Sequence, residues 1–153
     1  MNDLVLKGGR VVDPSQGIDK VTDIAFAGGK VAAIGEGLTG KDTRDVAGKI
    51  VSPGLIDLHT HLADVGQGAD VAEPIKTGPA ESAFIGARNA RNTLMAGFTT
   101  VRDVGTFRVF SDVKLRDAID KGLIPGPRMA VVGTYLTSPG GGGEINGLPA
   151  GTV

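Results

Sequence analysis

From Gly54 onward, strand-like runs alternate with helix-like stretches, and this alternation restricts the fold more than any other feature of the chain. "GLIDLHTHL" is a short β run. "GPAESAFIGARNARNTLMAG" follows as a helix, with Pro79 in its first turn, where a missing N–H costs nothing, and Gly97 just past its end. Ala80, Ala83, Phe84, Ala87, Ala90 and Leu94 recur at helical spacing and predict one apolar face. "FTTVRDVG" is the second strand. "FSDVKLRDAIDKG" is the second helix, with Ser111 or a neighbour as cap and Gly122 as stop, and "RMAVVGTYL" is the third strand. Strand–helix–strand–helix–strand predicts an α/β fold with a parallel sheet built of βαβ units.

The residues before Pro53-Gly54 have another character. "DLVLKGGRVVD" and "DIAFAGGKVAAIG" share one plan: an apolar strand, Gly-Gly, a basic residue and another apolar strand. Paired glycines accept the positive φ of tight hairpin turns, so Gly8-Gly9 and Gly28-Gly29 predict two hairpins in a small antiparallel layer, continued by "TRDVAGKIVS". Many such turns explain a glycine count of 25 in 153 residues, about twice the usual ~7%. The expected organisation is a small β segment over 1–52, a βα-repeat segment over 53–136 and a Gly-rich loop over 137–153, in which Asn146-Gly147 suits a tight turn.

Bulk properties exclude several functions. A formal net charge of -1 offers no basic surface for nucleic acid or an anionic membrane. The N-terminal "MNDLVLKGGR" carries charges and no long apolar run, so neither a signal peptide nor a membrane span is expected there. Cysteine is absent, which removes disulfides and thiolate metal sites and fits a cytoplasmic setting.

The chain's only two histidines, His59 and His61, stand one residue apart in the first strand of the βα-repeat segment. Side chains alternate across a strand. Leu55, Asp57, His59 and His61 form one parity set; Ile56, Leu58, Thr60 and Leu62 form the other, suited to packing under helices. Two imidazoles on one face near a strand's C-terminal end can bind a single metal ion such as zinc. The bland alternative is a structural histidine satisfied by backbone or water. The aspartate on the same face and the Pro-Gly entry favour the metal. Asp57 suits an orienting carboxylate behind the imidazoles rather than a ligand.

Other candidates carry weaker signals. Arg102 and Asp103 lie near the C-terminal end of the second strand, where substrate contact and plain strand-end bonding are both open. Tyr135 can line the mouth of a site or merely pack. Gly140 to Gly143 lacks the Lys-Ser/Thr ending of a phosphate loop and reads as a mobile lid. Glu144 is a ligand only in principle. Lys76, Arg88, Arg91, Lys114, Arg116 and Lys121 are scattered surface charges needing no function.

"VSPGLIDLHTHL", preceded by "GGRVVDP" and "GGKVAAIG", resembles the N-terminal region of the amidohydrolase superfamily of metal-dependent hydrolases. "LMAGFTTVRDVG" and "LRDAIDKGLIPGPRM" look like its branch of imidazolonepropionase-like enzymes and Xaa-Pro dipeptidase or carboxypeptidase homologues. The resemblance implies the first part of a (β/α)8 TIM barrel, about three βα units, beside a small β-sandwich. It also implies one or two divalent metals, usually zinc, with His59 and His61 as ligands from the first barrel strand. Such metals activate water and polarise the scissile carbonyl of an amide, peptide or cyclic amide. A dipeptidase or carboxypeptidase is the first expectation and a cyclic-amide hydrolase the second. The full-length enzyme is expected to act on a small molecule as a homo-oligomer.

Two departures bear on this. Gly142 stands about where many relatives carry a histidine in a Gly-Gly-His context. The family also uses a lysine on the fourth strand, histidines on the fifth and sixth, and an aspartate on the eighth. With two histidines in all, these 153 residues cannot supply that set. A full barrel takes about 250 residues, so the isolated chain is expected not to be a stable, active monomer. The competing reading is a non-catalytic chain that acts only with a partner polypeptide.

Overall fold

The structure, a computed structural model, describes residues 1–64 and 72–145. Asn146-Gly147 and the end of the Gly-rich segment lie outside the described residues. The chain divides into two compact units, Met1–Pro53 and Gly54–Val153.

The first unit is one sheet of five strands: β1 (Asn2–Asp13), β2 (Ile18–Ala27), β3 (Lys30–Gly35), β4 (Gly40–Asp45) and β5 (Ile50–Val51). Its order is β3-β2-β1-β4, with β5 also on β1. Val5, Val11, Ile24 and Ala25 are its buried hydrophobics. Gly28-Gly29 joins β2 to β3 with φ of 56° and 74°, as the hairpin expectation requires.

Gly8-Gly9 does not turn the chain. β1 runs straight through it, and the pairing shifts from Leu6↔Ile24 to Gly9↔Thr22, one extra residue in β1. This is a bulge, with φ of 70° at Gly8 and the Asp23 carboxylate accepting the Gly8 N–H at 3.1 Å. The real turn follows Asp13, whose carboxylate accepts the N–H of Ser15. The layer is also mixed rather than antiparallel, because β4 and β5 pair with β1 in parallel. A second layer of the expected sandwich is not found among the described residues of this unit.

The second unit follows the βαβαβ plan. β6 (Leu55–Thr60), β7 (Phe98–Asp103) and β8 (Arg128–Ala130) form a parallel sheet in that order. Between them lie a short α1 (Glu73–Lys76), α2 (Pro79–Met95) and α3 (Ser111–Asp120). The three strands fit the opening of a (β/α)8 barrel, without closing one. Leu62, Ala63, Ala90, Val101, Leu115 and Met129 form the core, flanked by Phe98, Ile119, Ile124 and Val131.

Three local expectations are corrected. The buried stripe of α2 is Ser82, Gly86 and Ala90, whereas Phe84 is 78% exposed. Close approach decides this: a Cβ at Gly86 would lie 3.3 Å from Leu115 Cδ2 and 3.4 Å from Ala63 Cα. Size, not hydrophobicity, selects the inward face. Of the set expected to pack under helices, Leu62 is buried but Ile56 and Leu58 are exposed, because α2 packs on β7 and α3 on β8, leaving β6 at an edge of the described sheet. The neighbour of Ser111 that caps α3 is Phe110, with a left-handed φ of 63° and its N–H donated to Gly133 O at 2.7 Å. The third strand stops at Ala130 because the N–H groups of Val132 and Gly133 turn to the Asp112 carboxylate.

Candidate metal centre

The C-terminal edge of a parallel sheet gathers the loops that follow its strands, which is why barrel enzymes build sites there. In this chain the loops after β6, β7 and β8 meet around His61. The His59 and His61 rings lie edge to face, their centroids 5.2 Å apart. His61 Nδ1 contacts the carbonyl of Gly105 at 2.9 Å and the Tyr135 hydroxyl at 2.8 Å. A carbonyl oxygen only accepts, so Nδ1 is the donor in that bond, which leaves Nε2 as the ring nitrogen turned to other partners.

Tyr135 is fixed on its other side. Its hydroxyl donates to Asp64 Oδ2 at 2.7 Å, and its ring meets Phe107 at 4.9 Å in a T-shaped contact. Burial and the neighbouring Asp64 push the Tyr135 hydroxyl pKa up, so it stays a donor. Gly105 allows this packing. Its φ is +126°, and a Cβ there would come within 2.7 Å of Tyr135 Cδ1.

Buried carboxylates join the loops. Asp103 is fully buried, with Oδ2 accepting the Leu62 N–H at 2.7 Å and Oδ1 that of Gly105 at 3.3 Å. Burial pushes its pKa up to about 6, against the pull of those two bonds. Asp64 accepts the Phe107 N–H at 3.0 Å through Oδ1, and burial raises its pKa too, with the Tyr135 bond opposing. Asp112, also fully buried, accepts the N–H groups of Val113, Val132 and Gly133.

The sequence candidates fare differently. Asp57 Oδ1 accepts the backbone N–H of His59 at 3.0 Å; its bond is to the main chain, not to an imidazole ring. Both oxygens of Asp103 are taken by backbone in a sealed position, which makes it a strand-end clamp rather than a substrate contact. Arg102 is exposed and donates through Nε to Leu58 O at 2.7 Å. Tyr135 lies in the loop beyond β8, and its hydroxyl is engaged as well as its ring. Gly142 is exposed, and a Cβ placed on it would meet nothing within 4 Å, so a side chain would fit there. The sequence marks Asp64, Gly105 and Asp112 only weakly. The only signals were an acid three residues after His61 and a glycine just past a strand.

The histidine pair fits a divalent metal as part of a donor set: two nearby imidazoles, one with its tautomer fixed for Nε2 coordination. Among the described residues no group of three or more His, Cys, Asp or Glu side chains could hold a metal ion. Also among them, no helix is long and apolar enough to cross a membrane.

Fold and site together define a βα-repeat scaffold with paired imidazoles at the C-terminal end of its first parallel strand. Residues 50–148 match the model of the amidohydrolase family, and the chain belongs to that family. The dihydroorotase of Geobacter sulfurreducens is 41% identical over 114 residues, 72% of this chain and 24% of that protein. That of Geobacter metallireducens is 33% identical over 153 residues, 98% of this chain and 30% of that protein. Among solved structures, a Xaa-Pro dipeptidase with methionine bound in its active site has a TM-score of 0.79 at 29% identity, covering 96% of this chain and 37% of that one. A. niger ochratoxinase has a TM-score of 0.77 at 25% identity, covering 99% of this chain and 36% of its own. The chain thus spans 24% and 30% of the two curated relatives. Family membership implies use of a divalent metal.

Proposed function

We propose that this chain supplies the first metal ligands, His59 and His61, of a hydrolase that cleaves amide C–N bonds. The observation that carries the proposal is the His61 Nδ1 contact with Gly105 O, which leaves Nε2 open beside His59. A divalent ion held there, zinc in this reading, would supply Lewis acidity that lowers the pKa of water and polarises the scissile carbonyl. The chain's own residues hold the ligands: Gly105 and Tyr135 fix the His61 ring, and Asp57 bonds the His59 backbone. The remaining ligands would come from outside these residues.

A linear dipeptide is the first substrate class, supported by likeness to a Xaa-Pro dipeptidase over 96% of the chain. A cyclic amide is the second reading, favoured by sequence relatives named dihydroorotase, one of them 41% identical.

The test uses the complete polypeptide that carries this sequence. Bound metal is measured by elemental analysis, and hydrolysis is assayed on an Xaa-Pro dipeptide and on a dihydropyrimidine ring amide. Metal content that falls in both His59→Ala and His61→Ala, with hydrolysis of one substrate and not the other, supports the reading and chooses between the classes. Full metal content in both variants sinks it.

A further inference from the structure

The Asp64–Tyr135 pair reaches His61 from two loops other than the one that bears Gly105. The Tyr135 hydroxyl is 2.7 Å from Asp64 Oδ2 and 2.8 Å from His61 Nδ1, so one hydroxyl spans a carboxylate and an imidazole. The direction of the chain of bonds follows from its ends. Nδ1 carries its proton because Gly105 O can only accept, and Tyr135 therefore accepts from His61 while donating to Asp64. Asp64 is itself held by the Phe107 N–H at 3.0 Å, and the Tyr135 ring by Phe107 at 4.9 Å. Every member of the chain is positioned by another residue.

We propose that Tyr135 and Asp64 are positioning residues for the metal-ligating His61, holding its Nδ1–H tautomer and ring orientation through a carboxylate–phenol–imidazole chain. The inference rests on the metal-ligand reading of His61. The chain takes the orienting role that the sequence suggested for Asp57. Outer partners of this kind commonly change metal affinity by about 10–100-fold.

Two readouts on the full chain test it: zinc affinity by competition with a chromophoric chelator, and the His61 tautomer by long-range ¹H–¹⁵N correlation without metal. Tyr135→Phe keeps the ring contact with Phe107 and removes only the hydroxyl. The expected result is an Nδ1–H tautomer in the wild type, a larger Nε2–H share in Tyr135→Phe, where Gly105 O is the one acceptor left to Nδ1–H, and zinc binding weakened about 10-fold or more. Zinc affinity within twofold of wild type in a folded Tyr135→Phe overturns the inference, as does an Nε2–H tautomer in the wild type. Should Tyr135→Phe fail to fold, Asp64→Asn serves, since it leaves the tyrosine in place and removes the anionic acceptor. Unchanged affinity and tautomer there overturn the proposal, whereas a parallel shift in both supports it. A wild type that binds no zinc refutes the metal reading instead, and the tautomer series still decides whether Tyr135 positions His61.

Discussion

Replacing Gly105 by alanine perturbs backbone and packing at one point. At φ of +126° an L-residue is strained, at a cost of order 1–3 kcal/mol. The new Cβ would meet Tyr135 Cδ1 at 2.7 Å and Cε1 at 2.9 Å, so the ring must move. It cannot move freely, being held by Phe107, Asp64 and His61. Overpacking of this kind costs about 1–3 kcal/mol more. Together Gly105→Ala is expected to lose roughly 2–6 kcal/mol, a large part of a total stability of about 5–15 kcal/mol. Urea denaturation followed by far-UV circular dichroism measures the loss. The two contributions separate in a double-mutant cycle with Tyr135→Ala, where the clash disappears and only the backbone term remains. The expected coupling is about 1–3 kcal/mol. Gly105→Ala with wild-type stability would refute the strain argument, and zero coupling would refute the clash with Tyr135.

Three further outcomes are expected. The buried Asp103 has its pKa raised from 3.8 to about 6, so the folded state holds its proton more tightly than the unfolded one and stability falls as pH rises through that window. At roughly 1.4 kcal/mol per pH unit the loss is about 3 kcal/mol, and the wild-type advantage over Asp103→Asn should shrink by about that much between pH 4 and 7 in denaturant titrations; a constant gap would exclude it. Asp112→Ala removes the acceptor for three backbone N–H groups and should cost several times the ~1–3 kcal/mol of one unsatisfied group, a loss that a denaturation midpoint close to wild type would contradict. Leu55, Ile56 and Leu58, 55–62% exposed on β6 at the sheet edge, should drive the isolated chain to self-associate, and a monodisperse monomer in analytical ultracentrifugation would count against this.

The order of strands and helices after Gly54 was legible because hydrophobic period and Pro/Gly punctuation are local signals. The histidine pair was legible for a similar reason: both residues sit on one strand, and imidazoles are unusual at packing positions. What holds those imidazoles was not. Gly105, Asp64 and Tyr135 come from separate loops, with Tyr135 standing 74 residues from His61 and 71 from Asp64. Only the parallel topology brings them together. Hydrophobicity does not identify the inward face of α2, where backbones approach closely; Gly86 and Ser82 are inside because they are small. Gly8-Gly9 misled for a related reason, since a glycine pair serves a bulge inside a strand as well as a turn at its end.

Buried carboxylates join the strand ends of the second unit, beside the apolar contacts of Leu62 and Ala63. Asp103 links the end of β7 to Leu62 after β6, Asp64 links that same loop to Phe107, and Asp112 links α3 to the segment after β8. Burying three acids is costly, and burial raises the pKa of Asp103 and of Asp64 for the same reason. An apolar edge would avoid the cost but would leave the loop N–H groups without acceptors and the His61 partners without a fixed frame. Backbone-bonded carboxylates hold each loop at a defined distance and add negative potential beside the imidazoles, which favours a cation there. The same residues that make this edge expensive to fold therefore suit it to present two histidines to a metal.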